Sequence, residues 1–304
     1  MSRFKISGPD FRKQLTWYSF LLPTILCLIA LTYVPMFTSI KYSFYDVSVV
    51  GIGEEFIGLR NYRTLLSSSS FSKAVWNTII LAVLDLSVIP IGMILASLIN
   101  SLGKNKLQSF FRIGFYMPNV ITGVSVIMLF QVVLKEQGGI LNNFLSLLVQ
   151  HPVEIGWLSD STYAKLGATI ISVWRGSGYA MLICLAGLQS IPSEIYEASE
   201  VDGCSGLQKW IYITVPQMKK TFVFLLTTNL IASFSRFTDL YVLSNNSASG
   251  RPGGSLQTIL MYIYQYSFET PNYGMSSAGA MILFVIVFLV TLLNLKLTGF
   301  FKNE

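Results

Sequence analysis

Long apolar stretches alternate with polar connectors along the whole chain. Six stretches are long enough to be membrane-spanning helices, namely Trp17–Ile40, Val75–Ile99, Ile113–Leu134, Leu166–Leu188, Thr221–Leu243 and Ala278–Leu297. A helix of about 20 apolar residues crosses a hydrocarbon layer of about 30 Å. Backbone groups inside a bilayer must be bonded within their own segment, and the alternation typical of barrel strands is absent. The pattern therefore predicts an all-α polytopic membrane protein with six transmembrane helices.

The composition agrees with this prediction. Of the 304 residues, 52% are hydrophobic and 12% are charged, whereas soluble domains carry about 25% charged residues. Intrinsic disorder is excluded, because it needs low hydrophobicity and high charge. Three cysteines are too few for a disulfide scaffold. The net charge of +6 is not concentrated in a basic run or a nucleic-acid-binding motif, so we expect a lipid bilayer and no nucleic acid as a partner.

Lysine and arginine residues are distributed unevenly over the two sides of the predicted membrane domain. Twelve lie in the N-terminal tail, in the connectors after spans two and four and at the C-terminal end, against seven on the other side. The positive-inside rule then places both termini in the cytoplasm. We expect a basic cytoplasmic tail, residues 1–16, and a single transmembrane domain, residues 17–300. The first span is too long for a signal peptide and no cleavage site follows it.

The residues needed for common catalytic chemistry are missing from the sequence. His151 is the single histidine, and no cluster of cysteine, histidine or carboxylate residues has metal-ligand spacing. The glycine-rich segment Gly250–Ser255 lacks the Lys-Ser/Thr ending of a phosphate-binding loop. We therefore expect a transport subunit that is not an enzyme and binds no metal or cofactor. Two alternatives are an ion-coupled secondary transporter and a membrane scaffold without transport activity.

Polar side chains form one face on each of spans four and five. These candidate path residues are Ser172, Trp174, Arg175, Gly176, Tyr179, Asn229, Ser233 and Arg236. All except Trp174, which adjoins the first face, follow spacings of three, four and seven residues. A charged side chain at the centre of a bilayer costs about 2.5 to 3.5 kcal/mol, so the charged residues in these spans are expected to have a functional or structural role. They could line a path for a hydroxyl-rich solute, or they could bond neighbouring helices. Arg236 and Asp239, three residues apart, could also simply pair with each other. For Asp85 we expect a structural partner.

The connector formed by residues 190–220 predicts a short acidic helix. Pro192 and Ser193 are typical of a helix start, Glu194 and Glu197 put negative charge into the first turns, and Gly203 is typical of the residue after a helix end. Such a helix on the cytoplasmic face is suited to docking into another protein. The alternative is an ordinary solvated helix in a loop.

The same connector resembles the EAA loop of ATP-binding-cassette (ABC) importer permeases. The resemblance lies in Glu197-Ala198-Ser199, then Asp202-Gly203, then Pro216, with Ser199 where the family has a second alanine. Further segments resemble the carbohydrate-type permeases of this family. They are residues 56–62, 76–78, 111–118, 138–142, 157–160, 237–243 and 262–264, and the resemblance covers roughly residues 15–300.

The resemblance implies a type I ABC importer permease fold. It further implies a function as one half of a translocation path for a sugar or oligosaccharide. The implied partners are a second permease subunit of different sequence, two ATP-binding subunits that hold ATP and magnesium, and an extracytoplasmic solute-binding protein. The implied ATPase-coupling residues are Glu197, Ala198, Ser199, Asp202, Gly203 and Pro216. Family permeases contact sugar from the spans before and after this loop, which selects the two polar faces. The arginines could bind an acidic or phosphorylated sugar, or neutral hydroxyls.

Overall fold

The computed structural model describes residues 11–48, 54–103 and 105–298, with side chains from Trp17 onward. Most of these residues are helical. Two short strands, β1 (Tyr45–Asp46) and β2 (Glu55–Phe56), pair antiparallel with Tyr45 opposite Phe56. The predicted basic tail lies outside the described residues up to residue 10, and residues 11–16 already belong to the first helix.

Sixteen α-helices follow one another in the described part of the chain. Helices α1 to α8 are Phe11–Leu28, Val34–Tyr42, Arg60–Ser67, Ser69–Asp85, Val88–Ser101, Lys106–Val120, Gly123–Val133 and Ile140–Val149. Helices α9 to α16 are Ala164–Gln189, Ser193–Val201, Gly206–Lys209, Val215–Gln217, Lys219–Phe234, Thr238–Leu243, Ile259–Tyr264 and Tyr273–Leu297. Three π-helical segments, Ile29–Tyr33, Trp210–Thr214 and Gln265–Glu269, continue α1, α11 and α15.

Four of the six predicted spans are continuous helical segments that are long and apolar enough to cross a membrane. They are Trp17–Tyr42, Ser69–Ser101, Ala164–Gln189 and Tyr273–Leu297. The third predicted span is a pair of helices, α6 and α7, bent by 98°. The fifth is divided between α13 and α14. The described residues therefore contain four such spans, or up to five if the bent pair crosses as one, and the count of six stays a prediction.

Helix α9 lies at the centre of the packing, against α5 and α6. Glycines permit the close approach at both contacts. A Cβ atom at Gly92 of α5 would lie 2.6 Å from the Cβ of Ala180, and one at Gly178 of α9 would overlap the carbonyl oxygen of Phe115 on α6. Small residues bring helix backbones together in membranes, where packing and hydrogen bonds replace the hydrophobic effect between helices.

Buried asparagine side chains fasten the connectors to the helices. The Asn61 amide donates to the carbonyl oxygens of Ser43 and Tyr45, at 3.1 and 2.9 Å. The Asn77 amide donates to the carbonyl oxygens of Gly254 and Gln257, at 2.8 and 2.9 Å. Each amide thereby satisfies carbonyl groups that an irregular connector would otherwise leave unpaired.

A buried ion cluster, consisting of Arg236, Asp85 and Asp239, joins three parts of the helix bundle. Nη1 of Arg236 donates to both carboxylate oxygens of Asp85 at 2.9 and 3.0 Å, and its Nε donates to Asp239 at 2.9 Å. Its Nη2 donates to Asp239 and, at 3.1 Å, to the carbonyl oxygen of Ala168 on α9. The side chains of Arg236 and Asp85 are only 9% and 2% exposed. The structural partner expected for Asp85 is thus Arg236.

Replacing Gly178 with alanine should weaken the α6–α9 contact, because the added methyl group would have to displace the backbone at Phe115. We expect a loss of about 1–3 kcal/mol of folding free energy, typical of overpacking, and a lower midpoint of thermal unfolding in detergent. Gly114→Ala on α6 is the matched control, since nothing lies within 4 Å of its Cβ position. Equal midpoints for the two variants would contradict the close approach.

Removing the Asp85 carboxylate should be more costly than removing an exposed one. Asp85→Ala leaves the Arg236 guanidinium buried with one carboxylate fewer, and breaking a buried pair costs about 3 kcal/mol or more. Asp46→Ala, at an exposed position, serves as the control. Thermal unfolding should show a clearly lower midpoint for Asp85→Ala alone. A midpoint equal to that of the control would mean that the ion cluster does not stabilise the fold.

Candidate functional site

A cavity of about 410 Å³ lies between α5, α6, α7, α9 and α13. This volume is within the range of about 300–1,000 Å³ found for ligand pockets. Apolar side chains such as Val88, Val126 and Ile171 form part of its wall. Polar and charged side chains form the rest, including the three members of the ion cluster. The cavity therefore combines an apolar surface with a limited set of hydrogen-bonding groups.

Two breaks in the helices lie beside this cavity. They lie at Ile121–Thr122 between α6 and α7 and at Ser235–Phe237 between α13 and α14, whereas the helical segment Ser69–Ser101 continues through a turn at Leu86–Ser87. Helix ends leave backbone groups without intrahelical partners. Within a bilayer such backbone is tolerated only where it is buried in protein or lines a cavity. The location of the breaks therefore agrees with a polar compartment at membrane depth.

Seven of the eight predicted path residues line the cavity. They are Ser172, Arg175, Gly176, Tyr179, Asn229, Ser233 and Arg236. The two helix faces that the sequence pattern identified thus face each other across one space. Trp174 is the exception, because its ring packs edge-on against Phe130 at a centroid distance of 5.2 Å and is absent from the cavity wall. The role of each residue toward a solute stays a prediction.

The two arginines at the cavity have different surroundings. All three nitrogens of the Arg236 guanidinium are bonded within the ion cluster or to Ala168. Arg175, on the central α9, forms no hydrogen bond or ion pair with the residues that the structure describes, and its buried Nε is unpaired. Arg236 is thus held by the protein, whereas Arg175 has donors available to a solute.

Sequence reasoning missed several cavity residues. Asp85 and Asp239 were noticed as charges within spans but received no place at the site, and Asn119, Gly123 and Thr228 were not identified. For Asp85 the signal was its presence in an apolar span. For Asn119 and Gly123 it was the sequence Pro118-Asn119 near a later glycine, which is typical of an interrupted helix.

The predicted acidic helix is present as α10. Its first residue is Ser193, preceded by Pro192 at the cap position, where no side chain bonds to the backbone. The expectation of a helix start here is confirmed, but Ser193 is not its cap. At the other end Gly203 has φ = +75°, and the N–H groups of Gly203 and Cys204 donate to the carbonyls of Glu200 and Ser199. This is the Schellman arrangement, which favours glycine at that position.

Five of the six predicted coupling residues are exposed on this connector. They are Glu197, Ala198, Asp202, Gly203 and Pro216. Ser199 is instead 4% exposed, and its hydroxyl donates to the carbonyl oxygen of Tyr196 at 2.6 Å. Val201, Leu207 and Tyr212 are 89%, 69% and 75% exposed. Acidic and apolar side chains therefore share one accessible surface, which we call the α10 surface (residues 194–212).

The connector is attached firmly to the helix bundle. Nε1 of Trp210 donates to the hydroxyl of Ser97 on α5 at 2.9 Å. A reciprocal pair of bonds between Ser205 and Gln208 caps α11. Lys209 forms an ion pair with Glu200 at 2.7 Å, and this hydrogen bond lowers the pKa of the Glu200 carboxyl. The Lys209 ion pair thus attaches the end of α10 to α11, while Glu194 and Glu197 are exposed and form no ion pair with the described residues.

Known permease proteins are similar to this chain in sequence over nearly its whole length. The arabinooligosaccharides transport system permease protein AraP of Bacillus subtilis (strain 168) is 29% identical over 295 residues, with 97% of this chain and 92% of that protein covered. The multiple sugar-binding transport system permease protein MsmF of Streptococcus mutans is also 29% identical over 295 residues, with 96% and 99% covered.

A solved structure has the same fold. It is a chain in the crystal structure of a bacterial ABC transporter involved in the import of the acidic polysaccharide alginate, with a TM-score of 0.78, 24% identity, and 95% and 96% of the two chains covered. Residues 88–298 match the family model described as binding-protein-dependent transport system inner membrane component. The resemblance seen in the α10 connector is thereby confirmed, and the chain belongs to the family of inner membrane components of binding-protein-dependent transport systems.

Proposed function

We propose that the chain is the permease subunit of an ABC importer and forms one half of the translocation path for an oligosaccharide. The observation that carries this proposal is the polar cavity between broken helices, lined by the two faces of α9 and α13. The names of AraP and MsmF support a sugar as the solute. The chain supplies the path and has no ATPase role of its own.

The cavity suits a hydroxyl-rich solute. Asn229 offers both donor and acceptor atoms and Ser172 adds a hydroxyl group, while the hydroxyl of the buried Ser233 donates to Oδ1 of Asn229 at 3.4 Å and orients that amide. Tyr179 is 39% exposed, and its ring provides an apolar face with a polar tip. Binding sites for small solutes combine such apolar surface with a few polar groups that fix orientation. We assign these residues to the sugar path.

The α10 surface is assigned to the contact with an ATP-binding subunit. Docking surfaces differ from ordinary solvated helices in their exposed apolar side chains, here Val201 and Tyr212 among acidic residues. Gln189, at the end of α9 nearest to α10, lies about 21 Å along the helix from Arg175. The surface is therefore well separated from the cavity, and α9 links the two. ATP and magnesium belong to the partner subunits.

The complete transporter in this proposal contains four membrane-associated subunits. A second permease of different sequence completes the path, and two ATP-binding subunits lie beneath α10 and its counterpart. The excess of basic residues at the tails and at this connector supports a cytoplasmic location for α10 and both termini. A solute-binding protein then delivers sugar from the opposite side, where residues 138–163 and 244–258 form the larger connectors.

Reversing the charge at Glu197 should detach the ATP-binding subunits. Glu197→Lys places a cation on the α10 surface, while Glu154→Lys makes the same change at an exposed position of the connector that we place on the opposite side. Pull-down of the tagged permease should recover the ATP-binding subunits with Glu154→Lys and lose them with Glu197→Lys. Equal recovery with both variants would contradict the assignment of the α10 surface.

Truncating Tyr179 should impair transport without preventing assembly. The side chain faces the cavity, and the structure shows no hydrogen bond from its hydroxyl to the described residues, so Tyr179→Ala removes a solute contact and little packing. Uptake of radiolabelled oligosaccharide should fall about tenfold, the loss expected for an aromatic contact worth about 1.4 kcal/mol. Tyr18→Ala, on the exposed surface of α1, should retain uptake. Unchanged uptake in Tyr179→Ala would remove this residue from the path.

A further inference from the structure

Arg175 is a charge in the cavity for which the described part of the chain supplies no counter-charge. Its Nε is buried without a hydrogen-bond partner. Gly123, the first residue of α7, makes room for the guanidinium, because a Cβ atom there would lie 3.1 Å from Nη1 and 3.7 Å from Cζ. A bulkier residue at this position would press on the guanidinium. The Arg175 side chain of α9 therefore occupies the space that the missing side chain of Gly123 leaves on α7.

The carboxylates of the cavity are already engaged. Asp85 accepts two hydrogen bonds from Arg236, and Asp239 accepts two more. The cavity wall contains two arginines and two aspartates, so its formal charges balance as a whole. The two carboxylates are nevertheless both bonded to Arg236, so neither of them is bonded to Arg175. The half-buried Arg175 keeps a buried Nε donor without a hydrogen-bond partner, which is costly, and a ligand anion would remove that cost.

We propose that Arg175 binds an anionic group on the transported carbohydrate, either a sugar carboxylate or a sugar phosphate. This inference rests on the proposed function and narrows its substrate class. A planar guanidinium pairs with the two oxygens of a carboxylate or phosphate at once, and such charge-assisted bonds are stronger than those to neutral hydroxyls. Arg175 is thereby the residue that distinguishes acidic from neutral solutes, while Arg236 maintains the wall of the cavity.

The test compares solutes that differ only in charge. The complete transporter is reconstituted in lipid nanodiscs, and binding is measured by saturation-transfer NMR without the solute-binding protein, whose own preference would otherwise dominate. The probes are an oligogalacturonide, its carboxyl-reduced neutral counterpart of equal length, and a hexose phosphate with the free hexose. The quantity of interest is the ratio of affinities for the anionic and neutral member of each pair.

We expect the transporter to prefer the anionic member of at least one pair by about tenfold or more, as befits one charge-assisted pair. The pair that shows the preference identifies the anion as carboxylate or phosphate. Arg175→Gln should abolish the preference, and Arg175→Lys should keep part of it. Arg112→Gln, which removes an exposed arginine outside the cavity, should leave it unchanged. If Arg175→Gln does not assemble, Gly123→Ala retains the charge but displaces the guanidinium, and it should lower the preference.

The outcomes separate this inference from the proposed function. Equal affinity for both members of each pair in the unmodified transporter would overturn the inference while leaving sugar transport intact. That result is also the one expected if the counter-charge of Arg175 comes from the second permease. A preference that persists in Arg175→Gln would overturn it as well. Failure of the unmodified transporter to take up any oligosaccharide in the presence of its solute-binding protein would overturn the proposed function itself.

Discussion

The Arg236 ion cluster is the interaction on which the arrangement of the cavity depends. It links the end of α4, the backbone of α9 and the break between α13 and α14, which are separated by up to 151 residues in sequence. Arg236 lies between α13 and α14, where its N–H still donates to the carbonyl oxygen of Ser233, and its side chain attaches this segment to α4 and α9. The acceptors around the guanidinium compensate for its removal from water.

Two helices connect this region with the α10 surface. α9 contributes Arg175 to the cavity wall and ends beside the connector, and α5 contributes Val88 to the wall and accepts the Trp210 bond at Ser97. Gly92 permits close packing between α5 and α9, so the two helices form one tightly packed pair. In the proposed function, a displacement of α10 by an ATP-binding subunit would reach the cavity through these packed helices.

The helix-face pattern made much of this site predictable from the sequence. Contacts between residues far apart in the sequence could not be predicted in this way. Spacings of three, four and seven residues placed Ser172, Arg175 and Tyr179 on one helix face, and all three line the cavity. Trp174 precedes Arg175 by one residue and so points about 100° away from that face, which explains its contact with Phe130 instead. The pairing of Asp85 with Arg236 had no local signal. The break within the fifth span was equally hidden, because no proline or glycine marks it.

Arg175 and Arg236 show why residue type and periodicity alone do not assign a role. Both are arginines on polar faces of apolar spans, and both line the same cavity. Arg236 meets two carboxylates and a carbonyl oxygen contributed by other elements, so its donors are used within the protein. Arg175 faces a glycine that can offer it no side-chain acceptor. The difference between a structural and a ligand-binding arginine therefore lies in the residues opposite each one, which only the folded arrangement of the helices brings together.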